Sequence, residues 1–319
     1  MVRIETRDRP SGAPVNVGIY LRTDAPDQHA VAEAVREGCR IGGERPFIFS
    51  DHQQIATADV VVLFGIGGDA KAVWDAAKRT GKRLVLLDKP YIRQWKSTTR
   101  PRYWLLRVAV DAFQPLNYFQ RVRRSPDRWN ALDIAIKPYG KRDHVSLLAT
   151  PAASILFDGA SNKYVAWNAL GNGVGTDLDQ WAEWGQRMVD RIGQYTTLPI
   201  KYRPRPSKNQ VPSIRGALVS TISLEHDFAL CDLVVSHGGN IGYDAVVAGI
   251  PHFAIGDSIA RPLSETEWRR IQIPVIPPED VRSQWLADIA WCQWNLDEFR
   301  AGAAWAYIRE TMEIINGLR

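Results

Sequence analysis

The sequence lacks any apolar run approaching the ~18–20 residues of a membrane-spanning helix, so no such span is expected. Cysteine is scarce: Cys39, Cys231 and Cys292 are the only three, far apart and without CxxC spacing. That argues against a disulfide framework or a cysteine metal cluster, and for a reducing, cytoplasmic setting. Internal repeats and low-complexity tracts are missing too, which excludes solenoids and disordered arrays. The opening stretch, MVRIETRDRPSGAPVNVGIY, has charge and proline where a secretory signal would have an apolar core, so no signal peptide is expected.

What is there has the balance of a soluble globular chain, 45% hydrophobic and 24% charged. Its 319 residues exceed one comfortable core and fit two domains. A net charge of +5 is mildly basic and suits an anionic partner, with nucleotide-sugars, nucleic acid and acidic glycans all open. Tryptophan is abundant, at twelve. Trp268, Trp285, Trp291, Trp294 and Trp305 lie near the C-terminus, where helix packing is the main expected role and stacking on sugars or bases a lesser one.

Val15–Arg22 reads as a strand and Asp27–Gly38 as a helix. Ala58–Phe64 (ADVVVLF) is almost wholly apolar, as a strand buried in a parallel sheet would be, and it runs into Gly65-Ile66-Gly67-Gly68-Asp69. A helix follows to about Thr80, with Gly81 placed to end it. Arg83–Leu87 is the next strand, ending at Asp88-Lys89-Pro90-Tyr91, and Tyr103–Val110 is another. Residues 114–142, rich in Arg, Pro and aromatics, break the pattern and read as loop. The alternation then resumes with Val145–Thr150 as strand, Asp177–Gln194 as helix, Pro199–Arg203 and Ala217–Ile222 as strands, and Leu224–Leu230 as helix. Past Pro278 the chain reads as helical. The expected fold class is α/β, with two doubly wound parallel sheets in domains 1–140 and 141–280, and a helical tail 281–319 packing back towards the first.

The richest stretch is Asp232–Gly256, DLVVSHGGNIGYDAVVAGIPHFAIG. It reads as strand, glycine turn, helix, turn, strand. Ser236-His237-Gly238-Gly239-Asn240 would present backbone N–H groups at a helix start, where an anion such as a diphosphate can bind. Gly238 and Gly239 allow close approach, Asn240 suits an N-cap, and His237 could reach a phosphate or leaving group. An ordinary βα turn, whose glycines serve packing, is the alternative.

Other constellations carry paired readings. Tyr202-Arg203-Pro204-Arg205-Pro206-Ser207-Lys208 is stiffened by proline, and its guanidinium forks suit phosphate; a solvated basic loop is the alternative. After Val145–Thr150, the small residues Pro151-Ala152-Ala153-Ser154 would let the backbone approach a phosphate, with Thr150 or Ser154 donating a hydroxyl. Thr176-Asp177-Leu178-Asp179 contains a DxD, but it precedes a helical pattern, where an N-cap and first-turn acids are expected without any metal. Gly67-Gly68-Asp69 resembles the GGDG turn of NAD kinases and diacylglycerol kinases, with Ala70 where those families carry a further glycine. Asp69 either faces a ligand at a strand's carboxyl end or simply caps the next helix.

Together the second half resembles the donor domain of GT-B glycosyltransferases, the group found in phages and bacterial surface-polysaccharide loci. Its patterns RP-x-P-S and S-x-(G/S)-(S/G)-N-x-x-x-(D/E)-A-x-x-A-G-(I/V)-P match Arg203–Ser207 and Ser236–Pro251. The tail Arg282, Trp285, Leu286, Gln293, Trp294, Glu298 and Gly302 matches its closing helices, so the resemblance spans about Lys201 to Trp305. It implies two Rossmann-like domains facing a cleft and a nucleotide-sugar, UDP-linked by expectation, as co-substrate with no other cofactor and no metal. By matching positions, Ser154, Arg203, Arg205, Ser207, the Ser236–Asn240 turn and Asp244 would hold the donor. The catalytic base would come from the first half, where Asp24, Asp69 and Asp88 are candidates and Asp69 ranks first, Asp88 second.

The acceptor expected first is double-stranded phage DNA carrying hydroxymethylated pyrimidines. Arg121, Arg123, Arg124 and Arg128 would then contact phosphates, while Trp129 or Tyr118 stacks on a flipped base. Surface-polysaccharide synthesis is the alternative acceptor class. A GGDG-type kinase and a non-catalytic nucleotide-binding module are the competing functions.

Overall fold

The structure is a computed structural model, and it describes residues 14–22, 26–65, 69–92, 105–119, 121–139, 154–159, 181–204 and 214–317. In chain order its regular elements begin β1 (Asn16–Tyr20), α1 (Pro26–Ile41), β2 (Arg45–Phe49), β3 (Val60–Phe64), α2 (Ala70–Arg79), β4 (Arg83–Asp88), β5 (Leu106–Val110) and α3 (Asp127–Asn130). They continue with β6 (Ile155–Gly159), α4 (Trp181–Gly193), β7 (Ile200–Pro204), β8 (Ala217–Val219), α5 (Leu224–Ala229), β9 (Leu233–Ser236), α6 (Ile241–Val247) and β10 (His252–Ala254). Last come α7 (Glu279–Trp291), β11 (Gln293–Trp294), α8 (Leu296–Arg300) and α9 (Ala303–Gly317). The chain divides into two compact units: 1–90 with 97–112 and 293–319, and 91–96 with 113–292.

The first unit holds a six-stranded sheet in the order β11-β5-β4-β3-β1-β2. The continuous apolar runs of β3 and β4 take its middle, buried on both faces as a parallel pair demands. Strand order reverses after β2, so β1 and β3 lie side by side with their carboxyl ends flanking the reversal. β5 departs from the expected parallel run: it pairs antiparallel with β4, and β11 pairs antiparallel with β5. A parallel return needs a crossover helix. The sequence between the two strands, rich in Arg, Lys, Thr and Pro, offers no apolar helical stripe to make one.

The carboxy-terminal elements join this unit from Gln293 onward, while α7 clusters with the second. α8 opens with a capping box: Glu298 N–H donates to Asn295 Oδ1 and Asn295 N–H to Glu298 Oε2, both at 2.8 Å. It packs so tightly on α1 that a Cβ on Gly38 would lie 2.1 Å from the Phe299 carbonyl oxygen. Trp294 and Trp305 are buried, in the packing role expected for the late tryptophans.

The second unit holds a five-stranded, all-parallel sheet in the order β10-β9-β6-β7-β8. This is the doubly wound arrangement in which the chain lays three strands in one direction, then returns to the first and builds outward the other way. Alternation along β6 and β9 supplies the two faces. Ile155, Phe157, Leu233 and Val235 meet Tyr202, Trp184 and Phe253 on one side; Leu156 and Val234 meet Ile241, Ala245 and Ile250 on the other. Both units are therefore Rossmann-like parallel-sheet α/β structures, with helices at the C-terminus.

The first strand of this second sheet is Ile155–Gly159; the expected strand Val145–Thr150 lies outside the described residues. Residues 113–139, expected within the first domain, cluster with the second unit.

The resemblance in the tail has a structural meaning. Arg282 is fully buried, and its Nη2 donates to the carbonyl oxygens of Val246 (2.5 Å), Lys137 (2.7 Å) and Val247 (3.4 Å). It also lies over the Tyr139 ring, 4.4 Å from the centroid. A cation on the last carbonyls of α6 satisfies acceptors that a helix end leaves open and complements its dipole. Trp285, also fully buried, stacks on Tyr243 of α6 at 6.2 Å and donates its indole N–H to the Ile259 carbonyl at 3.2 Å. Arg282→Met should cost about 3 kcal/mol in chemical unfolding of the second unit, because several buried carbonyls lose their charged donor together. Unfolding unchanged from wild type would mean that the clamp does not hold α6.

Candidate functional site

The carboxyl edge of the second sheet gathers the motifs. β6 ends in Asp158-Gly159, and its neighbour β9 ends in Ser236, which leads through His237-Gly238-Gly239-Asn240 into α6. These two strands flank the reversal of strand order, the place where ligands enter open α/β sheets. A Cβ built on Gly239 would stand 3.0 Å from Asp158 Oδ2, so the carboxylate lies directly against the turn. Gly159 is equally constrained, since a Cβ there would lie 2.5 Å from the Tyr202 hydroxyl oxygen. Burial, and then the nearby Asp158 charge, push the Tyr202 hydroxyl up to about 12, so it remains a neutral donor at neutral pH.

His237 is held edge-on to Trp184, with ring centroids 5.4 Å apart, and its backbone and ring would block a Cβ on Gly256. Burial pulls its pKa below the ordinary histidine value, opposed by the charge of Asp257 after β10. At neutral pH His237 is thus a neutral imidazole at the turn. Gly238 offers its carbonyl to Gln114 Nε2 at 3.4 Å, and the buried Tyr91 hydroxyl donates to Gln114 Oε1. Asn240 occupies the N-cap position with αR backbone and makes no side-chain cap bond. Asp244 sits half-buried in the first turn of α6.

Several expected donor ligands are committed elsewhere. The Ser236 hydroxyl is fully buried and bonded to His252 Nε2 at 2.8 Å; His252 Nδ1 in turn meets Ser264 Oγ at 2.6 Å. Only the backbone of Ser236 remains for a ligand. Ser154 lies at the amino end of β6, opposite the ligand edge, and its hydroxyl donates to the Leu230 carbonyl at 2.6 Å. Arg203 Nη1 is paired at 2.6 Å with Asp227, which is fully buried, and donates to the Ile222 carbonyl at 2.8 Å. Releasing that bond would strand a buried carboxylate, so Arg203 Nη1 is tied into the fold. Arg205, Ser207, Lys208, Thr150, Asp24, Gly67, Gly68, Asp177 and Asp179 lie outside the described residues.

The candidate bases separate. Asp88 stands directly opposite Arg107 across the β4–β5 pair and binds it at 2.7 Å; with Arg107 almost completely buried, that carboxylate is occupied. Asp69 is exposed at the N-cap position of α2, following β3 at the strand-order reversal of the first sheet, and makes no side-chain cap bond.

The arginine-rich segment does not form a uniform basic surface. Arg124 lies over Trp291 at 5.6 Å, its N–H donates to Asp288 Oδ1 at 3.0 Å, and its carbonyl accepts from Gln284. Arg128 Nε donates to the Ala290 carbonyl at the end of α7, at 2.9 Å. Tyr118 and Trp129, expected to stack on a flipped base, are buried. Of the four arginines, Arg121 and Arg123 are exposed, and Arg124 and Arg128 are half-buried beside these partners.

Sequence reasoning missed Asp158, although three apolar residues before Asp-Gly are a legible buried strand with a carboxylate at its end. Arg261 also escaped notice: exposed, it reaches the Gly256 carbonyl through Nη1 at 3.2 Å on the same edge of the sheet. Among the described residues no cluster of His, Cys, Asp or Glu could hold a metal ion, and no helix is long and apolar enough to cross a membrane.

No known family model matches this chain, and no curated protein matches it by sequence. Among solved structures it is similar to two transferases from Thermosulfurimonas dismutans. One is the KpsC beta Kdo 2,4 transferase, at 10% identity, covering 86% of this chain and 90% of that one with a TM-score of 0.48. The other is the KpsC beta Kdo 2,7 transferase, at 12% identity, 91% and 99% coverage and a TM-score of 0.47. Likeness of this degree carries no activity across to this chain.

His252 makes the site's framework pH-sensitive. Complete burial lowers its pKa from 6.5 to about 3, so the unfolded chain takes up a proton between those values that the folded chain does not. Stability is therefore full above about 6.5 and falls as pH drops towards 3, by about 1.4 kcal/mol per pH unit from this group. His252→Gln should flatten that slope in denaturant titrations between pH 6 and 4. A slope identical to wild type would contradict the assignment.

Proposed function

We propose that the protein is a GT-B glycosyltransferase that binds a nucleotide-sugar, UDP-linked by preference, along the carboxyl edge of the second sheet. One observation carries this reading. The Ser-His-Gly-Gly-Asn motif, singled out by its resemblance to glycosyltransferase donor turns, falls at the strand-order reversal with Gly239 close-packed against Asp158 of β6. The backbone N–H groups of the turn and the neutral His237 serve the departing diphosphate as hydrogen-bond donors, with Arg261 the nearby exposed cation. Arg205 and Ser207 complete the donor set on the strength of their motif. Asp69 is the proposed base that takes the acceptor hydroxyl's proton, in preference to the ion-paired Asp88. Transfer proceeds without a metal cofactor.

For the acceptor we favour a glycan hydroxyl over a hydroxymethylated pyrimidine in DNA. Support comes from the partners that Arg124 and Arg128 find in α7 and from the burial of Trp129 and Tyr118. Duplex-DNA binding that weakens steeply with salt would restore the nucleic-acid reading.

Calorimetric titration of Gly239→Val with nucleoside diphosphates tests the donor site: a loss of tenfold or more in affinity is expected, and wild-type affinity would sink the proposal. In assays of transfer from nucleotide-sugars, Asp69→Asn should lower turnover by about 10²–10⁴ while nucleotide affinity holds. Excess EDTA should leave transfer intact, and an absolute Mg²⁺ requirement would revive the kinase reading or the Asp177–Asp179 metal site.

A further inference from the structure

We infer that the amino edge of the first sheet is a docking face for a bilayer surface carrying anionic lipids. The inference is independent of the donor-site reading. Strands β1, β2, β3 and β4 run parallel, so their first residues form one edge of the unit. Register sets Arg45 level with Asn16, and Arg83 level with Val60. Main-chain bonds tie that edge together: Arg45 N–H donates to the Val15 carbonyl, Asp59 N–H to that of Asn16, and Arg83 N–H to that of Asp59. Crossover helices between parallel strands run back against them, so α1 and α2 end at this same edge. Their last turns, and the links into β2 and β4, bring Arg40, Arg45, Lys78, Arg79 and Lys82 there. Arg309 of α9 joins them, its Nη1 donating to the Gly42 carbonyl at 3.2 Å.

The acids along the edge are engaged by the fold. Glu44, its side chain 6% exposed, accepts from Val15 N–H at 2.8 Å and faces Arg309 at 3.6 Å. Asp59 accepts from Asn16 N–H, and Asp111 accepts from Leu84 N–H and pairs with Arg83, all at 2.8 Å. Exposed acids beside the cations are Glu310 and Glu313 of α9. Arg40, Arg45 and Arg79, by contrast, are exposed and make no ion pair among the described residues. Two features select a bilayer as the partner. The cations come from separate helix ends and loops and spread from β2 to β4, about 14 Å of sheet, as a field and not as a cage for one ligand. Among them stands Ile41, 66% exposed, at the end of α1 and next to the Gly42 carbonyl that Arg309 holds. A soluble acidic polymer gains nothing from an exposed isoleucine, whereas a membrane interface takes up apolar side chains while cations meet the headgroups. Asp69 follows the other end of β3, about 17 Å away by strand length, so docking turns that edge away from the lipid.

Vesicle sedimentation of the full chain tests this. The probes are vesicles of phosphatidylcholine alone, vesicles of phosphatidylcholine mixed with phosphatidylglycerol, and heparin as a soluble polyanion. Wild type should bind the mixed vesicles, leave the neutral ones, and be released as salt rises. Arg40→Gln combined with Arg45→Gln should weaken vesicle binding about tenfold or more, since each cation near an anionic surface contributes roughly fivefold. Ile41→Ser should weaken it severalfold while heparin binding stays as in wild type. Arg269→Gln, which removes an exposed cation of the second unit, should change neither. Failure to bind the mixed vesicles at low salt, or equal binding to the neutral ones, would overturn the inference. So would Arg269→Gln weakening binding as much as an edge arginine does, because net charge alone would then account for it. Vesicle binding indifferent to Ile41→Ser would overturn the bilayer in favour of a soluble polyanion. Thermal unfolding of each variant at the wild-type temperature is the control that the fold survives.

Discussion

The second unit depends on how a seven-residue helix is held at both ends. α6 is too short to be stable from its own hydrogen bonds, since isolated helices need about twelve residues or more. It persists because its apolar side is buried against β9 and because Arg282 closes its carbonyl end from a buried position. That clamp fixes where the helix begins, and the beginning of the helix is the glycine turn. Trp285 then ties the same helix to the loop after β10 through Tyr243 and Ile259. The residues of α7 that mark the resemblance in sequence never touch a ligand edge; they hold the element that does.

The polar groups follow the same logic of commitment. Ser236, His252 and Ser264 form a buried chain that locks the end of β9 to the strand beside it. Arg203 and Asp227 neutralise each other between β7 and α5, and Ser220 adds a hydroxyl to the same carboxylate at 2.6 Å. Among the described residues, the same edge carries the main chain of the glycine turn, the neutral His237 imidazole, the Asp158 carboxylate against Gly239 and the exposed Arg261 guanidinium.

Much of the fold was legible because its strands are apolar without interruption. Ala58–Phe64 and Arg83–Leu87 announced themselves as buried parallel strands, and the Asp232–Gly256 stretch read correctly as strand, turn, helix and strand. What failed was local. The strand Ile155–Gly159 is legible but short, and only the fold brings its Asp158 against the glycine turn. The direction of β5 depends on whether the connection can build a crossover helix, which no periodicity in the strand itself reveals. Site roles were the least legible: Arg203 looks free in sequence because Asp227, twenty-four residues on, becomes its partner only when β7 and α5 come together. Arg124 and Arg128 look like phosphate ligands for the same reason, since Trp291 and the last carbonyls of α7 lie far along the chain.

The proposed donor site places a nucleotide-sugar at the reversal between β6 and β9. Amide hydrogen exchange of the full chain, with and without a saturating nucleoside diphosphate, tests it most directly. Added protection is expected in Phe157–Gly159 and in His237–Gly242, with the strand interiors of the first unit unchanged. Protection confined to residues 65–69, or none at either strand end at saturating nucleotide, would rule the donor site out.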